Sequence, residues 1–361
     1  MNSLESQLDY PLGDRLPEPG QALPVAPGVL WVRMGLPFAL NHINLWLLRD
    51  EIRTEAGPRA GWTIVDCGID DAATRAAWEQ VFATALEGLP VLRVVVTHMH
   101  PDHIGLAHWL CERWQARLWI SATDFGIARL ASSAAAGFGG PVSAAFMARH
   151  GMAADPDAVV GVGARGNYYR KLVPAVPEAF RRLLDGGTVT AGAADARRDW
   201  TCHVGYGHAP EHMALHNAAD GVLISGDMVL PRISTNVSVT DLEPEDDPLR
   251  QYLASIERMR AIPADVRVLP SHGRPFVGLH TRIDQLQAHH DERFADVLTA
   301  CAEAPHSAFD LVPIIFRRPL DLHQMTFAMG ESIAHLHALW FAGKLERRTD
   351  AGGIHRFSLA H

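Results

Sequence analysis

Cysteine is scarce in this sequence, and its few cysteines are widely separated. The chain of 361 residues has four of them, Cys67, Cys111, Cys202 and Cys301, with no CxxC pair among them. This pattern excludes a disulfide framework and a four-cysteine zinc knuckle. We therefore expect four buried thiols, as in a protein of the reducing cytoplasm.

The sequence also lacks long hydrophobic runs and an excess of positive charge. No apolar run approaches the about 18 residues of a membrane-spanning helix. The N-terminal segment has no basic stretch followed by an apolar core, so we expect no signal peptide. The formal net charge of −9 repels a polyanion on average. These absences predict a cytoplasmic protein that does not enter a membrane and for which nucleic acid is a disfavoured partner.

What the sequence does contain is the alternation of strands and helices that is typical of an α/β protein. Residues 1–27 are rich in proline and predict an irregular N-terminal arm. Residues 28–280 alternate apolar runs with helical spacing and predict an α/β domain, interrupted at about 121–187 by a helical insertion rich in Ala, Gly and Met. Residues 281–361 predict a linker helix, further helices and a hairpin, which is the order of a small C-terminal winged-helix-like domain.

Histidine is abundant, with 20 residues, and the most informative of them lie close together. The segment THMHPDH at residues 97–103 follows a predicted buried strand and precedes a predicted helix. The loops at the carboxyl ends of strands are where α/β sheets place their sites. Two imidazoles two residues apart can face one metal ion, and the following Asp–His pair can face a second. Imidazole and carboxylate ligands without thiolate suit Zn²⁺, and also Mn²⁺ or Fe.

This HxHxDH motif resembles that of the metallo-β-lactamase superfamily, and three later segments match the other motifs of that family in the same order. They are GHAPEH at 207–212, LISGD at 223–227 and LPSHG at 269–273. The resemblance implies an α/β fold of the αββα sandwich type that carries the helical insertion and the C-terminal domain. It also implies a dinuclear centre with seven ligands, like that of glyoxalase II.

The resemblance distributes these ligands between two divalent metal ions, for which Zn²⁺ is the first expectation and Mn²⁺ or Fe the alternatives. The first ion would be held by His98, His100 and His208, the second by Asp102, His103 and His272, and both by Asp227. The family's strand-end D-x-G motif matches at Asp66, which would orient a ligand histidine. We expect that histidine to be His98, and we expect His212 to support the site without binding metal.

A centre of this kind predicts hydrolysis. Two metal ions roughly 3.5–4 Å apart can share a hydroxide, which attacks an electrophilic carbonyl. Asp102 would accept or relay the proton, and Asp227 would hold the two ions together. The complete ligand set is similar to that of hydroxyacylglutathione hydrolases and predicts a thioesterase or esterase. The C-terminal domain departs from that family and does not match its glutathione-binding helices, so the expected substrate is the broader class of small-molecule thioesters and esters, with the thiol carrier left open.

Three alternatives stay open, whereas a true β-lactamase is not expected without an export signal. A lactonase of the homoserine-lactone kind has a tyrosine three residues after the bridging aspartate, where this chain has Leu230. Some nucleases of the superfamily carry a winged helix and cut single-stranded RNA, but residues 306–361 have six Lys or Arg against five Asp or Glu, a net charge of +1. The third alternative is a non-catalytic protein that binds metal as a scaffold for a partner, and such a protein would not need all seven ligands.

The insertion follows the first metal motif directly and is expected to close over the metals as a lid. Within it, Tyr168 and Tyr169 are candidate oxyanion donors, and Arg170 and Lys171 are candidate anion contacts. We expect the C-terminal domain to serve as a structural cap or as the surface of a homodimer.

Overall fold

Two β-sheets lie face to face in the centre of the fold. The structure is a computed structural model that describes residues 4–133, 139–193 and 196–360, so part of the predicted arm (1–3) and part of the predicted insertion (134–138) lie outside the described residues. The strands of the first sheet are β1 (Ala22–Ala26), β2 (Val29–Gly35), β3 (His42–Thr54), β4 (Gly57–Val65), β5 (Val91–Val95), β6 (Arg117–Ile120) and β7 (Phe180–Arg182). The strands of the second sheet are β8 (Thr188–Ala191), β9 (Arg198–Gly205), β10 (His212–Asn217), β11 (Val222–Gly226), β12 (Arg267–Pro270) and β13 (Phe276–Val277).

The topology of the two sheets brings the carboxyl ends of several strands to one edge. In the first sheet the strands follow the chain order, antiparallel from β1 to β4 and parallel from β4 to β7. The second sheet has the order β13-β12-β11-β10-β9-β8, and its β11 and β12 are parallel. Buried Trp31, Trp46 and Trp200 fill the space between the sheets. Successive side chains of a strand point to opposite faces of its sheet, so every second residue of each strand points between the sheets. These inward-facing side chains interdigitate and form the core.

Helices cover the outer faces of both sheets and complete the predicted αββα sandwich. The helices are α1 (Ala72–Thr84), α2 (Pro101–Ile104), α3 (Ala107–Trp114), α4 (Ala122–Ser132), α5 (Pro141–Arg149), α6 (Pro156–Ala164), α7 (Tyr169–Leu172), α8 (Pro248–Arg258), α9 (Leu279–Glu303), α10 (Ala308–Ile315) and α11 (Leu322–Phe341). Several begin at side-chain caps. Asp71 accepts a hydrogen bond from Thr74 N at the start of α1, and Asp321 from Gln324 N at the start of α11. Among the described residues, no helix combines the length and the hydropathy needed to cross a membrane.

The expected order of helices and hairpin at the C-terminus is present. Helices α9, α10 and α11 precede an antiparallel hairpin of β14 (Leu345–Thr349) and β15 (His355–Leu359). Leu286 of α9 and Leu336 of α11 belong to the same hydrophobic cluster as Leu249 of α8. The C-terminal helices therefore share a core with the second sheet, while the winged-helix comparison stays a prediction.

The expectation of an irregular N-terminal arm is wrong for its last residues. Ala22–Ala26 form β1, an edge strand of the first sheet, and Val25 is buried between the sheets. Leu8 is also buried, and Asp9 forms an isolated bridge with Val277. The prolines of this segment are compatible with an edge strand because one side of such a strand needs no backbone donors.

Candidate metal centre

Seven side chains with metal-binding atoms meet where four strands end. His98 and His100 lie after β5, Asp102 and His103 in α2, His208 after β9, Asp227 after β11 and His272 after β12. They form three overlapping groups, each with its donor atoms within 4.8 Å of one another. The structure thus brings together all seven residues that the sequence singled out.

The first group consists of three imidazoles whose nitrogens form a small triangle. Its sides are 2.9 Å (His98 Nε2 to His100 Nδ1), 3.1 Å (His100 Nδ1 to His208 Nε2) and 3.2 Å (His208 Nε2 to His98 Nε2). Nitrogens bound tetrahedrally to one zinc ion lie about 3.3 Å apart, given Zn–N bonds of about 2.0–2.1 Å. The triangle therefore has nearly the size that a bound ion requires.

The side chains of His103, His272, Asp102 and Asp227, called the second group from here on, combine two imidazoles with two carboxylates. His272 Nε2 lies 3.4 Å from Asp102 Oδ2 and 3.5 Å from Asp227 Oδ1. His103 Nε2 lies 3.7 Å from Asp102 Oδ2 and 3.6 Å from Asp227 Oδ1. The other oxygen of Asp227, Oδ2, is 3.3 Å from His208 Nε2 of the first group. Asp227 therefore lies between the two groups and faces both.

The hydrogen bonds on the far side of each ring show that these atoms fit a cation. His208 and His272 donate from Nδ1 to the backbone oxygens of Asn236 (2.7 Å) and His42 (2.8 Å), so in their neutral forms Nε2 carries a lone pair. Lone pairs thus face each other in the first group and face carboxylates in the second. Among the described residues, the buried atoms His103 Nε2 and Asp227 Oδ1 have no hydrogen-bond partner. Divalent cations would satisfy all of these atoms.

The pKa values of the histidines and aspartates in the centre are shifted by burial and by the charges of their neighbours. Burial and the neighbouring histidines lower the pKa of His100 to about 3 and that of His98 well below its usual range. In the second group, burial opposes the charged forms, but Asp227 and Asp102 raise the pKa of His272 to about 10. Burial likewise opposes charge at Asp102, yet His103 and His272 lower its pKa to about 2. The carboxylates of the second group thus favour positive charge beside them, which a bound cation would supply.

Asp66 orients a ligand histidine, but a different one from the histidine that we expected. His103 donates from Nδ1 to Asp66 Oδ2 at 2.8 Å. Thr97 donates its backbone N–H and its hydroxyl to the same carboxylate, and His98 Nδ1 donates to the Thr97 hydroxyl at 3.0 Å. The expectation of a direct Asp66–His98 contact is therefore wrong, because the positive backbone φ of 61° at Asp66 aims its side chain beneath α2.

Two supporting residues were not singled out from the sequence in these roles. Buried Asp124 of α4 accepts hydrogen bonds from Met99 N (2.8 Å) and Glu211 N (2.7 Å), and so joins the loop of His98 and His100 to the loop of His208. Burial raises the pKa of Asp124 to about 6, although these donors act in the opposite direction. Tyr169 donates its hydroxyl to the Met99 carbonyl at 2.5 Å. No sequence motif marks such residues, since their partners are backbone atoms.

His212 supports the centre, as expected. Its Nε2 accepts the backbone N–H of Asp227 at 3.1 Å, and burial lowers its pKa well below the usual range, so that the ring is neutral. Gly226 allows this contact because a Cβ atom at that position would lie 2.1 Å from His212 Nε2. The same glycine has a φ of +55°, which L-amino acids with side chains rarely adopt.

The four residues predicted to touch substrate have different surroundings. Tyr169 is buried under the loop of the first motif, whereas Arg170 and Lys171 are exposed. Tyr168 is half-buried at the start of α7. Burial raises the pKa of the Tyr168 hydroxyl, which keeps it a neutral hydrogen-bond donor.

Comparison with protein families agrees with this geometry. The profile described as "Metallo-beta-lactamase superfamily" matches residues 43–272, which include all seven donor residues. The chain belongs to the metallo-β-lactamase superfamily. A second profile, described as "Metallo-beta-lactamase-like, C-terminal domain", matches residues 294–360. At this level the protein is a metal-dependent hydrolase of the superfamily, with groups of side chains that could hold metal ions.

Relatives of this superfamily member extend over most of its length. A Bacillus subtilis (strain 168) protein described as "Probable metallo-hydrolase YqjP" is 24% identical over 324 residues, which cover 86% of this chain and 92% of the relative. The crystal structure of a beta-lactamase domain protein from Burkholderia ambifaria is 56% identical, with a TM-score of 0.92 over 99% of this chain and 100% of the other. The metallo-beta-lactamase family protein TTHA1429 from Thermus thermophilus is 26% identical, with a TM-score of 0.73 over 92% and 99% of the two chains.

Proposed function

We propose that this protein hydrolyses a small-molecule ester or thioester with the aid of two divalent metal ions. The position of Asp227 is the observation that carries the proposal. Its Oδ2 lies 3.3 Å from His208 Nε2, and its Oδ1 lies 3.5 Å from His272 Nε2. A carboxylate in this position can bind one ion with each oxygen, which a site for a single ion would not require.

We assign the proposed ligands to two ions. His98, His100 and His208 would hold one ion and Asp102, His103 and His272 the other, since the donor atoms of each set lie within 4.8 Å of one another. Asp227, which faces His208 with Oδ2 and His272 with Oδ1, would bind both. Zn²⁺ is the first candidate because the set contains imidazole and carboxylate but no thiolate, and Mn²⁺ or Fe are the alternatives. Two such ions supply Lewis acidity that polarises the scissile carbonyl and lowers the pKa of an attacking water molecule.

We assign two roles in the reaction to the protein's own side chains near the ions. Asp102 directs Oδ2 toward His103 and His272, and we assign its Oδ1 the acceptance of the proton from the attacking water. Tyr168, neutral at physiological pH, would donate a hydrogen bond to the oxygen that gains charge as the carbonyl is attacked.

Two further points favour an open-chain ester or thioester over a homoserine lactone or RNA. Leu230, three residues after Asp227, is buried at 2% exposure and has no hydroxyl to offer a lactone. The C-terminal residues 306–361 lack the excess of positive charge that an RNA-binding surface needs. The Bacillus subtilis relative is described as a probable metallo-hydrolase, which supports hydrolysis without naming a substrate.

The test combines metal analysis with a substrate panel. Metal content is measured by mass spectrometry, and turnover is measured with acyl-CoA and glutathione thioesters, 4-nitrophenyl esters, a homoserine lactone, a phosphodiester and single-stranded RNA. We expect about two ions per chain and turnover of esters or thioesters that is lost in His98→Ala. His108→Ala, on α3 and outside the centre, serves as the control and should behave as the wild type. Cleavage of RNA or the lactone alone, or fewer than one ion per chain after addition of Zn²⁺, Mn²⁺ or Fe²⁺, would refute the proposal.

A further inference from the structure

Arg165 lies at the junction of the insertion and the C-terminal helices. It follows α6, and its Nη1 atom is 3.5 Å from Thr326 Oγ1 of α11, a long hydrogen bond. Thr326 directs its own hydroxyl proton to the His323 carbonyl at 2.7 Å, so it can only accept from Arg165. Within the described part of the chain, no carboxylate oxygen comes within 4.0 Å of the Arg165 guanidinium. A half-buried guanidinium that has given up part of its hydration therefore retains free donors.

The guanidinium lies near the part of α11 that meets the metal centre. Asn236 accepts the Nδ1 hydrogen of His208 with its backbone oxygen at 2.7 Å, and it donates from Nδ2 to Glu331 Oε2 of α11 at 3.4 Å. Gly330 of the same helix, one turn after Thr326, accepts the backbone N–H of Val239 at 3.2 Å. About one turn of α11 therefore separates Thr326, which contacts Arg165, from the residues that reach a proposed metal ligand.

An apolar wall borders the same region. Phe38, in the loop between β2 and β3, stacks on His323 with ring centres 5.3 Å apart, and His323 meets Phe327 edge-on at 4.9 Å. Burial and the charge of Arg165 lower the pKa of His323, so its ring is neutral at pH 7. The loop of Phe38 leads into His42, whose backbone oxygen accepts the Nδ1 hydrogen of His272 at 2.8 Å. Phe38 therefore joins α11 to the segment that supports His272.

Helices α6 and α11 pack closely near Arg165. A Cβ atom at Gly161 of α6 would lie 2.6 Å from Leu322 Cδ2 of α11. This contact lies one helical turn before Arg165 and one before Thr326. The packing of the two helices therefore brings Arg165 to Thr326, which accepts its hydrogen bond.

We propose that Arg165, supported by Thr326, forms an anion-binding subsite beside the metal centre, and that the substrate is an ester or thioester whose apolar chain ends in a carboxylate. This rests on the proposed function. The guanidinium can bind a carboxylate with two parallel N–H···O bonds, while the apolar chain lies along Phe38 and His323. The C-terminal domain then contributes directly to substrate selection.

The experiment compares two substrates that differ only in the terminal group. The 4-nitrophenyl monoester of glutaric acid carries a carboxylate, and 4-nitrophenyl pentanoate of equal chain length carries a methyl group. The ratio of their kcat/KM values is measured for the wild type, Arg165→Gln, Arg165→Lys and Thr326→Val. In Arg165→Gln we expect this ratio to fall by about tenfold or more, mainly through KM of the charged ester, while turnover of the neutral ester persists. Arg165→Lys should recover part of the preference.

A binding measurement separates this inference from the proposed hydrolysis. Glutarate, pentanoate and inorganic phosphate are titrated calorimetrically into chelator-treated, metal-free protein, with Arg182→Gln, an exposed arginine of β7, as the matched control. Glutarate binding that is lost in Arg165→Gln and kept in Arg182→Gln supports the subsite even if neither ester is hydrolysed, an outcome that would refute the proposed function alone. An unchanged substrate ratio together with unchanged glutarate binding in Arg165→Gln overturns the subsite. Binding of phosphate but not of glutarate overturns the assignment of a carboxylate. If Arg165→Gln does not fold, Thr326→Val decides by the same two measurements.

Discussion

The Asp66 carboxylate lies 2.8 Å from Nδ1 of His103 and thereby connects the end of β4 with the first turn of α2. This contact directs His103 Nε2 toward Asp102 and Asp227. Carboxylates that hold the far nitrogen of a ligand histidine orient the ring and raise its basicity. We therefore expect the strength of the proposed metal binding in the second group to depend on Asp66, which lies behind His103.

Asp66→Asn tests this dependence without disturbing the backbone, since asparagine tolerates the positive φ of 61° at this position. We expect the affinity for the second metal ion to fall about 10–100-fold, because the amide orients His103 less strongly than the carboxylate. Competition with a chromogenic chelator measures both affinities. Asp70→Asn removes a nearby carboxylate that pairs with Arg75 and should leave both affinities unchanged. Equal weakening of both ions by Asp66→Asn would contradict the assignment.

The division of the ligands into two groups predicts how single substitutions change the metal content. His100→Ala and His272→Ala should each reduce the content to about one ion per chain, because each removes a ligand of one ion only. Asp227→Ala should affect both ions. Elemental analysis after dialysis measures the content, and removal of both ions by a chelator should lower the Tm of the wild type, since the ions bind the folded state alone. Two firmly bound ions in Asp227→Ala would rule out a shared ligand.

The Asp124 carboxylate is expected to stabilise both metal-binding loops at once. In Asp124→Asn one of the two backbone donors, Met99 N or Glu211 N, would face an amide NH₂ group instead of an oxygen. We expect the free energy of unfolding to fall by about 1–3 kcal/mol, as measured by urea denaturation of the metal-free protein. Asp124→Ala should cost at least as much. If neither substitution changes the unfolding midpoint, Asp124 does not hold the loops.

Gly226 and Gly221 form a matched pair for testing the contact between His212 and Asp227. Both have positive φ angles, +55° and +61°, but a Cβ atom at Gly226 would strike His212 Nε2 whereas one at Gly221 would meet nothing within 4 Å. Gly221→Ala should therefore show only the cost of backbone strain, about 1 kcal/mol. Gly226→Ala should lose more stability and also metal affinity, because the clash displaces Asp227. Thermal unfolding and metal titration of the two variants check the difference.

The buried His150 predicts a loss of stability in acid that is independent of the metal centre. It follows α5, and its ring lies 5.1 Å from that of His355 and 6.1 Å from that of His337. Burial, then these histidines, Arg347 and Arg149, lower its pKa to about 3. Because the unfolded chain binds a proton near pH 6.5 and the folded chain does not, stability is unaffected above that pH and falls as the pH drops toward 3.

His150→Gln removes this titration. At pH 5.5 the wild type should lose roughly 1 kcal/mol more of its free energy of unfolding, relative to pH 7.5, than the variant loses. Denaturant unfolding of the metal-free proteins at the two pH values measures the difference between the two losses, so any constant cost of the substitution cancels. Identical losses in the two proteins would show that His150 is protonated in the folded state.

The linear sequence singled out the residues that meet in the centre, in part through its own chemistry and in part through a family resemblance. Buried strands are marked by β-branched runs such as residues 91–95. The spacing within 97–103 is local, so the chemistry of those residues is visible before folding. The sandwich and the three later donor residues were predicted from the resemblance to the metallo-β-lactamase superfamily, whose motifs occur here in the same order.

The partners of those residues were decided only by the tertiary structure. Asp66 contacts His103 instead of His98 because the backbone geometry after β4 aims the carboxylate at α2. Asp124 joins two loops by accepting hydrogen bonds from the backbone N–H groups of Met99 and Glu211. Every residue except proline has such a group, so the residue types at these positions do not reveal the contact. Arg165 comes close to Thr326 only when α6 packs on α11, across more than a hundred intervening residues. Sequence patterns report which atoms are available, whereas long-range packing determines which of them meet.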